Sequence, residues 1–273
     1  MNTPLFLSRA RLRTGRGEQL SAIARVLLHG SKGDTVGNAH RILWMLFRDR
    51  DEDEPRDFLW REEAPGRYLI LSKRAPSDEH GLFDLQTKDY APKLSPGDRL
   101  AFALRANPVV SLKKGRKPGE EKYDRKGRVR SMRCDIVMNA LKPLGGRDGP
   151  RDADGQTERA TKRDKILTEV SRSWVQKQGE SYGFRLALNP DNGNQPYLSA
   201  SNYETVKIPR GKTNADTGQW KLESQKRFAQ FGVLDFEGLI EVTDPAAFLK
   251  QLAEGFGKAK AFGCGLMLIK RAA

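Results

Sequence analysis

The sequence predicts an α+β fold of two units side by side, and three observations carry that expectation. Short stretches of two-residue apolar alternation are interleaved with segments of helical period. A polar stretch at 145–156, with Arg-Asp-Gly-Pro-Arg-Asp inside it, divides the 273 residues into similar halves, predicted as domains 1–144 and 157–273. The chain then closes on a helix pattern, a glycine-rich loop and an apolar strand, a second β-α-β unit.

Residues 4–12 alternate apolar and polar side chains through Leu5 and Leu7, then Ala10 and Leu12, and read as a strand. A small helix is predicted at 18–28. After the breaker His29-Gly30-Ser31-Lys32-Gly33, residues 38–47 place Ile42, Leu43, Leu46 and Phe47 at helical spacing, with His40 near the N-terminus of that helix. Strands follow at 57–62 and 67–72 around the turn Ala64-Pro65-Gly66, and another at 99–106 after Ser95-Pro96-Gly97-Asp98. This order matches a ferredoxin-like, or RRM-like, unit.

In the second half, residues 157–178 form the longest helical pattern, with Ala160, Ile166, Leu167, Val170 and Trp174 on one stripe. Strands are predicted at 183–188 and 233–242, the latter with a bulge near Gly238. The Gly-, Asn- and Pro-rich residues 189–219 read as loops. Asp244 is an N-cap for a helix at 245–254 with Pro245 in its first turn.

Composition then narrows the function. A net charge of +14 points to a polyanionic partner, nucleic acid before membrane, since no run of about 18 apolar residues exists. Residues 1–11 carry arginines inside a short apolar stretch and lack the pattern of a signal peptide. Two cysteines, Cys134 and Cys264, with three histidines, exclude a CxxC-type zinc site and suit a reducing cytoplasm. No metal site and no cofactor are expected; the acidic run 49–54 reads as the solvated end of a helix.

Two stretches carry the chemistry. Residues 113–133 hold ten lysines and arginines, among them Lys113, Lys114, Arg116, Lys117, Arg128 and Arg130, and read as a hairpin or loop that grips phosphates. Residues 255–265 read Gly-Phe-Gly-Lys-Ala-Lys-Ala-Phe-Gly-Cys-Gly. Gly255, Gly257 and Gly263 let the backbone approach a ligand, exposed amides can point at an anion, and Lys258 and Lys260 add charge. Because these glycines end a helix and feed a strand, the loop suits a phosphate backbone better than a nucleoside triphosphate. Phe256 and Phe262 offer faces for a splayed base, with core packing the alternative for at least one.

Several motifs together resemble the CasE subfamily of CRISPR repeat-processing endoribonucleases. They are Gly255-x-Gly257-x-x-Lys260-x-x-Gly263-x-Gly265-Leu266, Leu104-Arg105-Ala106-Asn107-Pro108 after Pro96-Gly97-Asp98-Arg99-Leu100, Arg56-Asp57-Phe58-Leu59-Trp60, Phe236-Glu237-Gly238, and His40 followed by Trp44. The resemblance implies two tandem ferredoxin-like domains and metal-independent cleavage of CRISPR repeat RNA at the 3′ base of its stem-loop. The products would be a 2′,3′-cyclic phosphate and a 5′-hydroxyl, with the enzyme staying on the crRNA. Partners implied are the crRNA stem-loop and other Cascade subunits, the backbone and Cas5-type proteins, with no membrane. His40 matches the family's catalytic histidine, Lys260 its loop lysine, and Arg105 the Arg-Ala-Asn-Pro position. A tyrosine that family members carry three residues before the histidine is Gly37 here. Lys32 is a substitute for its role, and a non-catalytic subunit that binds structured RNA is the alternative reading.

Overall fold

The computed structural model describes residues 4–13, 32–47, 56–113, 131–144, 156–189, 195–209, 211–213, 220–222 and 228–272. The predicted helix at 18–28 and the acidic run 49–54 lie outside them. In order, the elements are β1 (Phe6–Leu12), α1 (Lys32–Trp44), β2 (Phe58–Ala64), β3 (Arg67–Ser72), β4 (Phe83–Asp89), β5 (Arg99–Ala106), β6 (Val109–Lys113), β7 (Ser131–Asp135), α2 (Ile136–Leu141), α3 (Glu158–Thr161) and α4 (Arg163–Tyr182). The short strands β8 (Phe184–Leu186), β9 (Leu188–Asn189) and β10 (Gln195–Pro196) precede β11 (Leu198–Pro209), β12 (Gly211–Thr213), β13 (Trp220–Leu222), β14 (Phe228–Val242), α5 (Pro245–Glu254) and β15 (Met267–Arg271).

Two antiparallel sheets organise the chain. The first has the order β2-β3-β1-β4, and the second β11-β14-β5-β15, with β8 also on β14. Both orders are ferredoxin-like. Among the described residues the first unit has one helix, α1, and residues 73–82, which join β3 to β4, form turns and extended chain. The second has α4 and α5 as its two crossovers.

The boundary between the sheets differs from the expected one. β5 precedes the 145–156 stretch yet lies in the centre of the second sheet, between β14 and β15, with Leu104 opposite both Phe236 and Met267. Ile136, Val137 and Leu141 of α2 enter the same core. The second unit therefore begins at residue 99, and the β6–β7 hairpin is an excursion within it. Local alternation identifies a strand but says nothing about a partner 130 positions away.

β3 shows why the first sheet sits where it does. Its run Tyr68-Leu69-Ile70-Leu71 is apolar without a break because both faces are covered. Tyr68 and Ile70 pack with Ala39, Ile42 and Leu43 of α1. Leu69 and Leu71 pack with Leu59 and with Leu266, at the start of the last strand of the second unit. The two units thus share an apolar seam.

Two other expectations are corrected. Residues 198–209, predicted as loop, form the long strand β11, whose Val206 and Ile208 face inward despite the surrounding Asn and Pro. The ladder irregularity falls at Ser201/Glu204, not at Gly238, which pairs in register on both sides. Gly238 is there for close approach: a Cβ on it would sit 2.1 Å from the Tyr197 carbonyl oxygen.

Candidate active site at the seam between the two units

α1 starts six residues before its predicted start, so His40 is the ninth residue of a 13-residue helix instead of a member of its first turn. Gly33, read as part of a breaker, and Gly37 lie inside it. Ala39, Ile42 and Leu43 bury one face against the first sheet, while Val36, His40 and Trp44, four residues apart, form an adjoining stripe. That stripe meets the glycine-rich loop. Val36 packs into a small cluster with Val206, Ile208, Val233, Cys264 and Phe262, and the His40 ring lies 5.8 Å from the Phe262 ring. Phe262 in turn stacks on Phe231 of β14 at 5.6 Å. Burial pushes the Cys264 thiol up to about 12.

The glycine loop holds its shape through its own backbone. The amides of Gly255, Phe256, Lys258, Phe262 and Gly265 donate to the carbonyls of Gln251, Gly265, Asn107, Ala259 and Arg105. These five are therefore not the open anion cradle expected from the glycine spacing. The loop is instead a rigid platform, fixed from below by Trp60, whose indole donates to the Ala261 carbonyl at 3.2 Å. Phe256 is fully buried core, whereas Phe262 is half-buried at the seam.

Cations gather around this platform. Arg56 lies over the Phe58 ring at 5.9 Å, and Phe58 contacts Trp44 edge-on at 5.1 Å. Burial lowers Lys260, and so does the charge of Lys258 and Arg56. The Lys260 ammonium donates to the Glu254 carbonyl at the C-terminal end of α5, 2.6 Å away, where a cation also suits the helix dipole. His40 is pushed down to about 4, first by burial and then by Arg56 and Arg41. It is therefore neutral at physiological pH. Its Nε2 accepts a hydrogen bond from the Trp44 indole at 3.1 Å, and its Nδ1 is buried with no partner among the described residues.

The sign of the pH effect follows. The unfolded chain takes up a proton on this imidazole near 6.5, the folded protein only near 4. The contribution of His40 to stability is present above 6.5 and is lost as pH falls toward 4. Urea midpoints measured across that range should decline less steeply for His40→Gln than for the parent.

The other predicted residues fall into two groups. Lys32 is the first residue of α1; its side chain, that of Lys113, and Lys114, Arg116, Lys117, Arg128 and Arg130 lie outside the described residues. β6 and β7 do pair as the arms of a hairpin. Arg105 is committed within the sheet, donating to both carboxylate oxygens of Asp235 at 3.0 Å and to Glu204. Its removal should expose two carboxylates to each other. Arg105→Ala is expected to cost about 1–3 kcal/mol, seen as a lower denaturation midpoint. Gly37 has room: a Cβ there would find its nearest neighbour, Ile208, 4.0 Å away. Gly37→Ala should stabilise α1 by about 0.5–1 kcal/mol, read as a thermal midpoint higher by about 1–4 °C.

Arg56 and Trp44 are the site members that the sequence did not single out for a role, and Phe262, read as a face for a splayed base, instead packs against His40 and Phe231. Arg56 and Trp44 stood in motifs, but their approach to His40 depends on how β2 and α1 pack.

Fold and site together define a tandem ferredoxin-like protein with a neutral histidine and a cationic glycine-loop platform at the seam of its two units. The chain belongs to the family described as CRISPR associated protein, whose model matches residues 5–271. It is 27% identical over 240 residues to the CRISPR-associated endoribonuclease Cse3 of Thermus thermophilus, an alignment that covers 84% of this chain and 87% of the relative. It is 22% identical over 250 residues to the CRISPR system Cascade subunit CasE of Escherichia coli, covering 90% and 96%. Among solved structures, Thermus thermophilus Cse3 bound to an RNA representing a pre-cleavage complex superposes with a TM-score of 0.60 at 23% identity, over 98% of this chain and 99% of that one. Among the described residues no helix is long and apolar enough to cross a membrane.

Proposed function

We propose that the protein is an endoribonuclease that binds the CRISPR repeat stem-loop and cleaves precursor crRNA at its 3′ base without a metal ion. It then stays on the crRNA 3′ handle beside other Cascade subunits, in the cytoplasm. The observation that carries this reading is the meeting of His40 with the Phe262 platform under the charge of Arg56, Lys258 and Lys260. The relatives named above support the RNA substrate.

The chemistry fits these groups. Neutral His40 takes the proton of the ribose 2′-hydroxyl as its oxygen attacks the adjacent phosphorus. The bond from phosphorus to the 5′-oxygen breaks, and that oxygen takes a proton from Lys260, whose lowered pKa brings it closer to donating. Arg56 and Lys258 offset the charge that grows on the phosphorane oxygens. The products are a 2′,3′-cyclic phosphate and a 5′-hydroxyl. The basic residues between β6 and β7 supply contacts to the phosphates of an A-form stem, whose deep major groove offers little base readout.

One observation favours the alternative of a subunit that only binds structured RNA: neither nitrogen of His40 is open, since Nε2 is capped and Nδ1 is buried. The two readings separate in a gel assay on labelled repeat hairpin RNA in EDTA, beside a hairpin with 2′-deoxyribose at the scissile nucleotide. Cleavage of the first and not the second is expected. Tight binding with no cleavage of either would establish the binding subunit.

A further inference from the structure

His40 is held by its own helix. Trp44 lies one turn further along α1, and its indole N–H can only donate, so the nitrogen it meets at 3.1 Å must carry a lone pair. Nε2 is therefore the bare nitrogen, and the single proton of the neutral ring sits on Nδ1. The indole is itself braced edge-on by Phe58 at 5.1 Å, with Phe58 stacked on Phe47 at 4.6 Å. Phe262 closes over the histidine ring from the glycine loop. The one lone pair with which this histidine can accept a proton is thus already occupied.

We propose that Trp44 is a positioning residue that fixes the tautomer of His40 and caps Nε2, so that proton abstraction from the RNA begins only when the seated substrate breaks this hydrogen bond. This rests on the catalytic reading of His40 given above. The cap serves two ends. It makes Nε2 the basic nitrogen, and it keeps that nitrogen unprotonated beside Arg41 and Arg56, the charged groups acting on it from α1 and from the strand entry before β2. The glycine loop contributes an uncharged ring, Phe262, directly, and Lys260 at one remove through Arg56.

Trp44→Phe retains the packing ring and removes the donor. With saturating repeat hairpin RNA under single-turnover conditions, cleavage at pH 7 is expected to rise about two- to tenfold, the cost of breaking one buried hydrogen bond having been removed. The acid limb of the pH–rate profile should move up by about half to one pH unit, because a proton on Nε2 no longer competes with the indole. In the parent protein without RNA, nitrogen NMR of His40 should show the proton on Nδ1. A parent spectrum with the proton on Nε2 overturns the proposal, and so does a Trp44→Phe profile lowered at every pH with its acid limb unmoved. The spectrum needs no variant and no activity: if His40→Ala cleaves like the parent, the catalytic reading fails while the tautomer still tests the cap.

Discussion

Replacing His40 with alanine should lower single-turnover cleavage of the repeat hairpin by about 10²–10⁴-fold while leaving the hairpin bound with little change in affinity. The expected separation of the two effects follows from geometry. His40 is half-buried, and its nitrogens face Trp44 and the interior. It therefore adds little to the encounter with a polyanion, which the basic side chains dominate. Filter binding and denaturing gels on one preparation check both halves. A variant that lost affinity and cleavage in equal proportion would make His40 a binding residue. Because the ring is kept neutral by burial and by Arg56 and Arg41, the parent should also hold its rate down to about pH 5, where a solvent-exposed histidine acting as a base would already have lost most of its neutral form.

The second large effect is expected at Gly257. Its φ is +72°, and a Cβ would lie 2.8 Å from the carbonyl oxygen of Asn107. Nothing there yields easily, since that same carbonyl accepts from Lys258 and the Asn107 side chain, itself buried, donates to Gly232. Gly257→Ala should destabilise the protein by about 2–4 kcal/mol, combining a left-handed backbone with a contact against main chain. Thermal melting would show it. Gly97→Ala is the control, as Gly97 also has a positive φ, +88°, but no atom within 4 Å of the added carbon. A loss equal to that of the control would mean that the contact with Asn107 relaxes freely. Cleavage should fall further than stability at Gly257, because the loop that moves carries Phe262 to the histidine and Lys260 to the Arg56 beside it.

The contrast between these two sites shows what the sequence discloses. His40 was legible through family motifs, and its helix through Ile42, Leu43, Leu46 and Phe47. The start of that helix was not, because Gly33 and Gly37 weigh against helix locally while packing on the first sheet overrides them. Strands β3 and β5 were read to the residue, β3 from its apolar run after the Ala64-Pro65-Gly66 turn and β5 from alternation after Ser95-Pro96-Gly97-Asp98. β11 was missed because Asn, Gly and Pro around it mimic a loop, and only pairing with β14 makes it a strand. The glycines were read as an open cradle; the structure uses the amides of Gly255 and Gly265 internally, and no local pattern distinguishes those outcomes. Arg105 shows the same limit, since its two carboxylate partners lie 99 and 130 positions downstream.

The placement of β5 bears on how the protein is made. Ala106 pairs with Leu234, so 128 residues must follow this strand from the ribosome before its partner arrives. At typical synthesis rates the wait is about 6–25 s. During it, Leu100, Phe102 and Leu104, all buried at the end, have no strand to cover them. The first sheet has no such delay, being closed by residue 89. The nascent chain therefore carries the complete set of first-sheet strands ahead of an uncovered apolar strand, and temperature or crowding that hinders production of this protein should act through that interval.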